Sequence, residues 1–194
     1  MDGGEKKNKR RIVEAAAAVL GAVPERELNA VVLNKALFYL DLIALRDLGR
    51  DVTGSAYVAL HQGPVVAKYK QRLISALESA GVAEQVQVGR AKPIRLKALP
   101  ESTEPLAPDE LRLVDEVASF VGKLTSTKAS DLSHENPGWQ IAYSAGQGQG
   151  SPPLPIDMLI AMQQVLDDDP WLSEDIDDET RAVAERSSSA ELEW

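Results

Sequence analysis

Apolar positions recur along most of this chain at helical spacing. Ile12, Ala16, Val19, Leu20 and Val23 mark an amphipathic first helix. A turn at Pro24 and Glu25 separates it from a longer helix, read from about Glu27. On that helix Leu33, Leu37, Leu40 and Ala44 share one face, and Phe38, Leu42 and Leu45 share another. A helix that is apolar on more than one face needs neighbours on several sides, which makes this one the expected centre of the core. Gly49 supplies the left-handed residue that ends many helices, and Arg46 suits the negative end of the helix dipole. Thr53 and Gly54 then turn the chain, and residues 55–60 read as a short β-rich segment. Gly63 and Pro64 predict a new helix start, because glycine permits the tight turn and proline at a first helical position forfeits no hydrogen bond.

Beyond that point Tyr69, Leu73, Ile74 and Leu77 form the apolar stripe of a third helix, ended by Ala80 and Gly81. Residues 84–88 and 94–99 alternate polar and apolar around a loop containing Gly89 and Pro93, which predicts a β-hairpin. Residues 100–108 are a proline-rich connector. Residues 109–124 read as a helix with Leu113, Val117, Phe120, Val121 and Leu124 inward, and Thr127 is placed to cap a short helix running through Leu132. Pro137 and Gly138 interrupt, a further turn carries Trp139 and Tyr143, residues 144–155 have loop composition, and residues 156–166 form the last predicted helix. The fold class that follows is α+β: one helix-rich domain over residues 1–166 with a small antiparallel sheet, followed by a separate segment over residues 167–194.

Composition changes this picture in two ways. A hydrophobic share of 44% is enough for a real core, and the absence of cysteine excludes disulfides and thiolate chemistry. The net charge of −9 is not spread along the chain. Residues 167–194 hold eleven acids against two bases, a net of −9, while the other 19 acids and 19 bases cancel. Such a segment argues against phosphate binding as the main business and towards a basic protein surface as its target. It also carries Trp171, Leu172, Ile176 and Val183, which a purely solvating segment does not need. These residues make it a candidate partner-binding helix that folds on contact, with Trp171 as anchor; the alternatives are an acidic solubility tail or a segment folding back on Lys6 to Arg11.

Basic residues Lys6 to Arg11 ahead of an alanine run superficially resemble a secretory signal. Glu14 inside the run and the helical spacing favour the first helix of a cytoplasmic domain. The long helix is interrupted by Lys35, Asp41, Arg46 and Asp47, so no membrane span is expected.

Candidate chemistry is sparse. Asp41 lies among apolar neighbours, and a buried carboxylate must be paired or hydrogen-bonded, by backbone amides or by an arginine. His61 and His134 are the only two histidines; with no cysteine and no metal-ligand spacing, no metal site or cofactor is expected. His134 is expected to make polar contacts that fix how Trp139 packs. No nucleophile stands beside a base, so no catalysis is expected. The order helix, helix, strand, helix, hairpin also occurs in winged helices. Lys68, Lys70 and Arg72 on the third helix, with Arg90, Lys92, Arg95 and Lys97 on the hairpin, make a DNA-binding regulator the alternative function. A solvated helix face explains that scatter more simply, and nucleic acid is the less favoured partner.

Two runs carry a family resemblance. The first comprises Ala36, Leu37, Phe38, Tyr39, Leu40 and Asp41, then Gly49 and Arg50, Val52 to Gly54, Tyr57 to Ala59, and Gly63 to Val65. The second, about 70 residues on, is Leu132, Ser133, His134, Glu135, Asn136, Pro137, Gly138 and Trp139. Together they closely resemble the Panacea domain of SocA-type antitoxins over roughly residues 10–165. The departures are His61 and Gln62, where the family often has proline and an aromatic, and Val66, where it often has a second proline. The resemblance implies an antitoxin that binds and neutralises a cognate protein toxin, directly or as an adaptor handing the toxin to a AAA+ protease. It leaves the oligomeric state open. Tyr57, His61, Gly63, Pro64, Val65 and His134 are then candidate partner-binding residues, and Trp171, Leu172 and Ile176, which the resemblance does not reach, are candidates on their apolar pattern alone. Leu37, Tyr39, Asp41, Leu132, Ser133 and Trp139 are the structural motif. The expected exposed turn at Gly63 and Pro64 would form part of a groove for the partner.

Overall fold

Asn29 opens the central helix α2 (Ala30–Leu48): its Oδ1 accepts from the Val31 amide at 2.9 Å, and Gly49, at φ 67°, closes the other end. All thirteen residues 32–44 are buried, so α2 is surrounded rather than laid on a surface. The structure is a computed structural model and describes residues 2–89, 92–101, 104–146, 152–166 and Pro170. The expectations for Trp171, Leu172 and Ile176 fall outside the described residues. Among those described, no helix is long and apolar enough to cross a membrane.

Helix α1 (Asp2–Ala22) and helix α4 (Pro108–Phe120) pack on α2 and on each other. Glu110 clamps the three helices from a nearly closed position. It takes an ion pair from Arg11 at 2.6 Å and another from Arg50, while its Oε2 accepts from the Ala107 amide and closes the first turn of α4. Exclusion of apolar surface by these helices is the main stabilising term of the core.

The predicted hairpin around Gly89 is present, shorter than expected, as β4 (Ala83–Gln85) and β5 (Ile94–Leu96). β1 (Glu27–Leu28) adds to β5, giving an antiparallel sheet in the order β1-β5-β4. The central helix therefore begins at Ala30, and Glu27 belongs to a strand. Two of the hairpin cations are spent on neighbours, Arg95 on Glu27 at 2.7 Å and Lys97 on Glu84 at 3.1 Å.

The main correction concerns Gly63 and Pro64. They do not start a helix. Gly63–Val66 is strand β3, antiparallel to β2 (Tyr57–Leu60), with Leu60 opposite Gly63 and Tyr57 opposite Val66. A glycine followed by proline fits a strand after a tight turn as well as it fits a helix start, and Gly63 has the positive φ of 95° that the turn needs. The third helix begins later, as a π-helical turn (Lys70–Ile74) leading into α3 (Ser75–Ser79).

In the second half, the cap of α5 (Ser126–His134) is Thr125, whose Oγ1 accepts from the Lys128 amide, and not Thr127. Pro137 does not interrupt a helix but starts α6 (Pro137–Gly146). The last predicted helix is α7 (Met158–Ala161), continued by a tighter turn (Met162–Val165).

Candidate functional site: a hairpin tip held by three helices

The turn between β2 and β3 is where the two motif runs meet. Four of its carbonyl oxygens are each taken by a side chain from a helix. Trp139 Nε1 on α6 donates to Leu60 O at 3.0 Å, and Ser130 Oγ on α5 donates to Gln62 O at 3.2 Å. His134 Nε2 lies 3.1 Å from His61 O, and the acceptor role of a carbonyl makes that nitrogen the protonated one. Lys35 Nζ on α2 donates to Pro64 O at 2.8 Å. The turn is thus bonded from behind at nearly every residue, while His61 and Gln62 remain exposed.

Close packing completes the grip. A Cβ added to Gly63 would overlap Ser133 Oγ and stand 2.7 Å from Lys35 Nζ. Ser133 and Lys35 are both fully buried, and burial pushes the Lys35 amine down to about 7. The Ser133 hydroxyl donates to Ser130 O at 2.8 Å, which commits it to its own helix. On the outer edge of β2, Ala59 N donates to Leu154 O and Ile156 N to Tyr57 O, so the segment leading to α7 covers that side.

Asp41 sits below the hairpin, fully buried, and satisfies the expectation of backbone-amide partners. Its Oδ1 accepts from the amides of Val52 and Thr53 at 2.8 and 2.9 Å, and its Oδ2 faces the hydroxyls of Thr53 at 2.5 Å and Tyr57 at 2.7 Å. Burial pushes this carboxyl up to about 6, against the pull of these donors. Tyr57 Oη also lies 2.9 Å from Leu37 O, and one hydroxyl proton cannot serve both acceptors. Below its raised value a protonated Asp41 donates to Tyr57 while Tyr57 donates to Leu37; above it the ionised carboxylate accepts from Tyr57.

A second network seats the other motif. Asn136, also fully buried, accepts from the Trp139 amide at 3.1 Å and donates to Ala161 O and Gln164 Oε1. Gln164 Nε2 and Tyr39 Oη both donate to Leu132 O at 3.2 Å. From this base rises a stack of three rings. His134 lies on Trp139 with centroids 4.3 Å apart and planes 18° apart, and Trp139 lies on Tyr143 at 4.7 Å and 13°. His61 Nδ1 reaches the Tyr143 hydroxyl at 3.1 Å.

A family model described as the SocA-like antitoxin Panacea domain matches residues 33–140, more than half of the 194 residues. The chain belongs to the SocA-like, Panacea-domain antitoxin family. No curated protein and no solved structure matches it. The matched span contains residues 33–48 of α2, the β2–β3 hairpin and α5, and it ends one residue after Trp139, so it includes the four side-chain donors to the hairpin tip. Membership supports a role in a toxin–antitoxin system in general terms.

Of the candidate partner-binding residues, the structure brings His61 and His134 to the surface side of the site. Tyr57, Gly63, Pro64 and Val65 are buried, so the expected exposed helical turn at Gly63 and Pro64 is corrected to an internal strand. Sequence reasoning missed Lys35, Ser130 and Gln164, and it gave Asn136 no role beyond its place in the second motif. Lys35 had a usable signal: apolar residues surround it at three- and four-residue spacing on a helix already expected to be buried all round.

Proposed function

We propose that this protein is a non-catalytic antitoxin that covers a surface of a cognate protein toxin with the β2–β3 tip and the adjoining faces of α5 and α6. The observation that carries the reading is the fourfold side-chain grip on the tip carbonyls, which ties down the backbone of an exposed two-residue loop. Pre-organisation of this kind lowers the entropy cost of docking. A stable complex needs roughly 1,200–2,000 Å² of total buried surface, more than the tip alone offers. Exposed Ile141 and Gln140 on α6 and Glu135 after α5 extend it. The ring nitrogens that face the site, His61 Nδ1 and His134 Nε2, are engaged with Tyr143 and the turn, a positioning use rather than a chemical one.

The test is growth rescue. The product of the neighbouring reading frame is expressed with this chain, and the His61→Ala plus Gln62→Arg double variant is compared with the unaltered protein. Retained circular dichroism with lost rescue and lost co-purification is the expected result. Full rescue and an unchanged complex by the double variant would remove the tip from the interface. Repeating rescue in a strain lacking the AAA+ protease separates direct neutralisation, which persists, from adaptor action, which disappears.

A further inference from the structure

We propose that an extended segment of the protein partner adds to the outer edge of β2 as a strand, in the place now taken by residues 152–155. The inference rests on the antitoxin reading for the identity of the partner, and it names how that partner docks beside the tip.

The two edges of the β2–β3 hairpin are covered in different ways. On the β3 side α2 supplies two buried side chains. Lys35 Nζ donates to Pro64 O at 2.8 Å, and Asn34 Oδ1 accepts from Val66 N at 3.0 Å. On the β2 side the cover is backbone. Val58 faces Pro155 in an isolated antiparallel bridge, Ile156 N donates to Tyr57 O at 2.9 Å, and Ala59 N donates to Leu154 O at 3.0 Å.

This backbone cover is a poor strand. Residues 152, 153 and 155 are prolines, which bring no N–H to a ladder. Residues facing each other in a regular antiparallel pair exchange two bonds. Ala59 and Leu154 exchange one, and among the described residues no donor reaches Ala59 O. Pro152, Pro153 and Pro155 are exposed, whereas Ile156 is buried and anchors the far end. A cleft of 290 Å³ remains where the cover passes the tip, between Leu154, the end of β2 and Tyr143.

A proline-free segment on the same path keeps an acceptor for Ala59 N and brings an N–H to Ala59 O. Strand addition of this kind draws affinity from main-chain bonds and specificity from alternate side chains. The side chain that enters the cleft meets Leu60, Ala142 and Tyr143 and no carboxylate, lysine or arginine, so an apolar one fits. The added strand runs beside exposed His61 and Gln62 and supplies contact area that the tip by itself lacks.

The bridge also supplies the test. Val58 and Pro155 form a non-hydrogen-bonded pair, whose Cα atoms stand close enough for a disulfide, and the chain has no cysteine of its own. The full chain carrying Val58→Cys and Pro155→Cys is oxidised to tie the cover down or reduced to release it. Its affinity for the purified product of the neighbouring reading frame is measured beside that of the unaltered chain under both conditions. The oxidised form should bind at least about tenfold more weakly than the reduced form, with the same circular dichroism spectrum. Leu154→Gly loosens the cover without a cross-link and should bind about two- to fivefold more tightly than the unaltered chain. That variant decides the matter if the cross-link alters the spectrum. Equal affinity of the oxidised and reduced forms, or binding by Leu154→Gly that is no tighter, overturns the strand assignment and leaves the antitoxin reading intact. Failure of the unaltered chain to bind the product overturns that reading, and this inference with it.

Discussion

The side-chain nitrogen of Lys35 and the carbonyl oxygen of Pro64 lie 2.8 Å apart in a position closed to water. Pro64 brings no N–H to its strand, so its carbonyl is the only backbone group it can offer, and the lysine of the central helix takes it. The pairing, beside the Val66 amide that donates to Asn34 Oδ1 at 3.0 Å, ties the strand to α2 and places a titratable group in the core.

That group makes stability depend on alkaline pH. Its amine titrates near 7 in the folded protein and near 10.5 when unfolded, so the unfolded chain holds more protons throughout that window. Stability attributable to Lys35 therefore rises as pH goes from about 7 to about 10. Urea titrations across that range should show the rise in the unaltered protein and a flatter profile in Lys35→Met.

Gly63 should not accept a side chain. An added Cβ would overlap Ser133 Oγ and crowd Lys35 Nζ, at a φ of 95° that non-glycine residues rarely adopt. Gly63→Ala is expected to lose about 2–4 kcal/mol and to lower the melting temperature. A companion Gly49→Ala, also at positive φ but with open space around the added atom, should lose less. Differential scanning calorimetry of both variants separates steric overlap from backbone strain.

Asp41 gives the opposite pH behaviour from Lys35. Its folded value near 6 lies above the ordinary 3.8, so the folded protein holds the extra proton between those values, and stability falls as pH rises from about 4 to about 6. Asp41→Asn keeps an acceptor for the Val52 and Thr53 amides and adds a donor towards Tyr57. It should preserve the fold and remove the fall, measured by thermal melts at half-unit pH steps. A fall of unchanged size in the variant would assign it to another group.

Trp139 joins packing and polar functions in one side chain. Trp139→Ala should lose about 3–5 kcal/mol, the usual range for truncating a buried tryptophan. Trp139→Phe keeps a ring between His134 and Tyr143 but leaves Leu60 O without its donor, an expected loss of about 1–3 kcal/mol. An unchanged melting curve for Trp139→Ala with lost toxin binding would instead make the ring part of the interface.

The sequence by itself located helices α1, α2 and α4, the buried centre and the family. Apolar spacing is a local property, and it located α1, α2 and α4 because each must hide a stripe from water whatever it packs against. Asp41 was legible for the same reason, since a carboxylate inside such a stripe must find donors. Only tertiary structure decided that Gly63 and Pro64 lie in a strand. Four consecutive buried residues show no alternation, and the glycine–proline pair suits either conformation. The grip on the hairpin tip was hidden for a different reason. It joins residues 60–64 to Lys35, Ser130, His134 and Trp139 through side-chain bonds to backbone carbonyls. Carbonyls are common to every residue and leave no trace in the side-chain pattern, so such partners are chosen only when the helices pack and bring donors to within 3 Å or so of an acceptor that water no longer reaches.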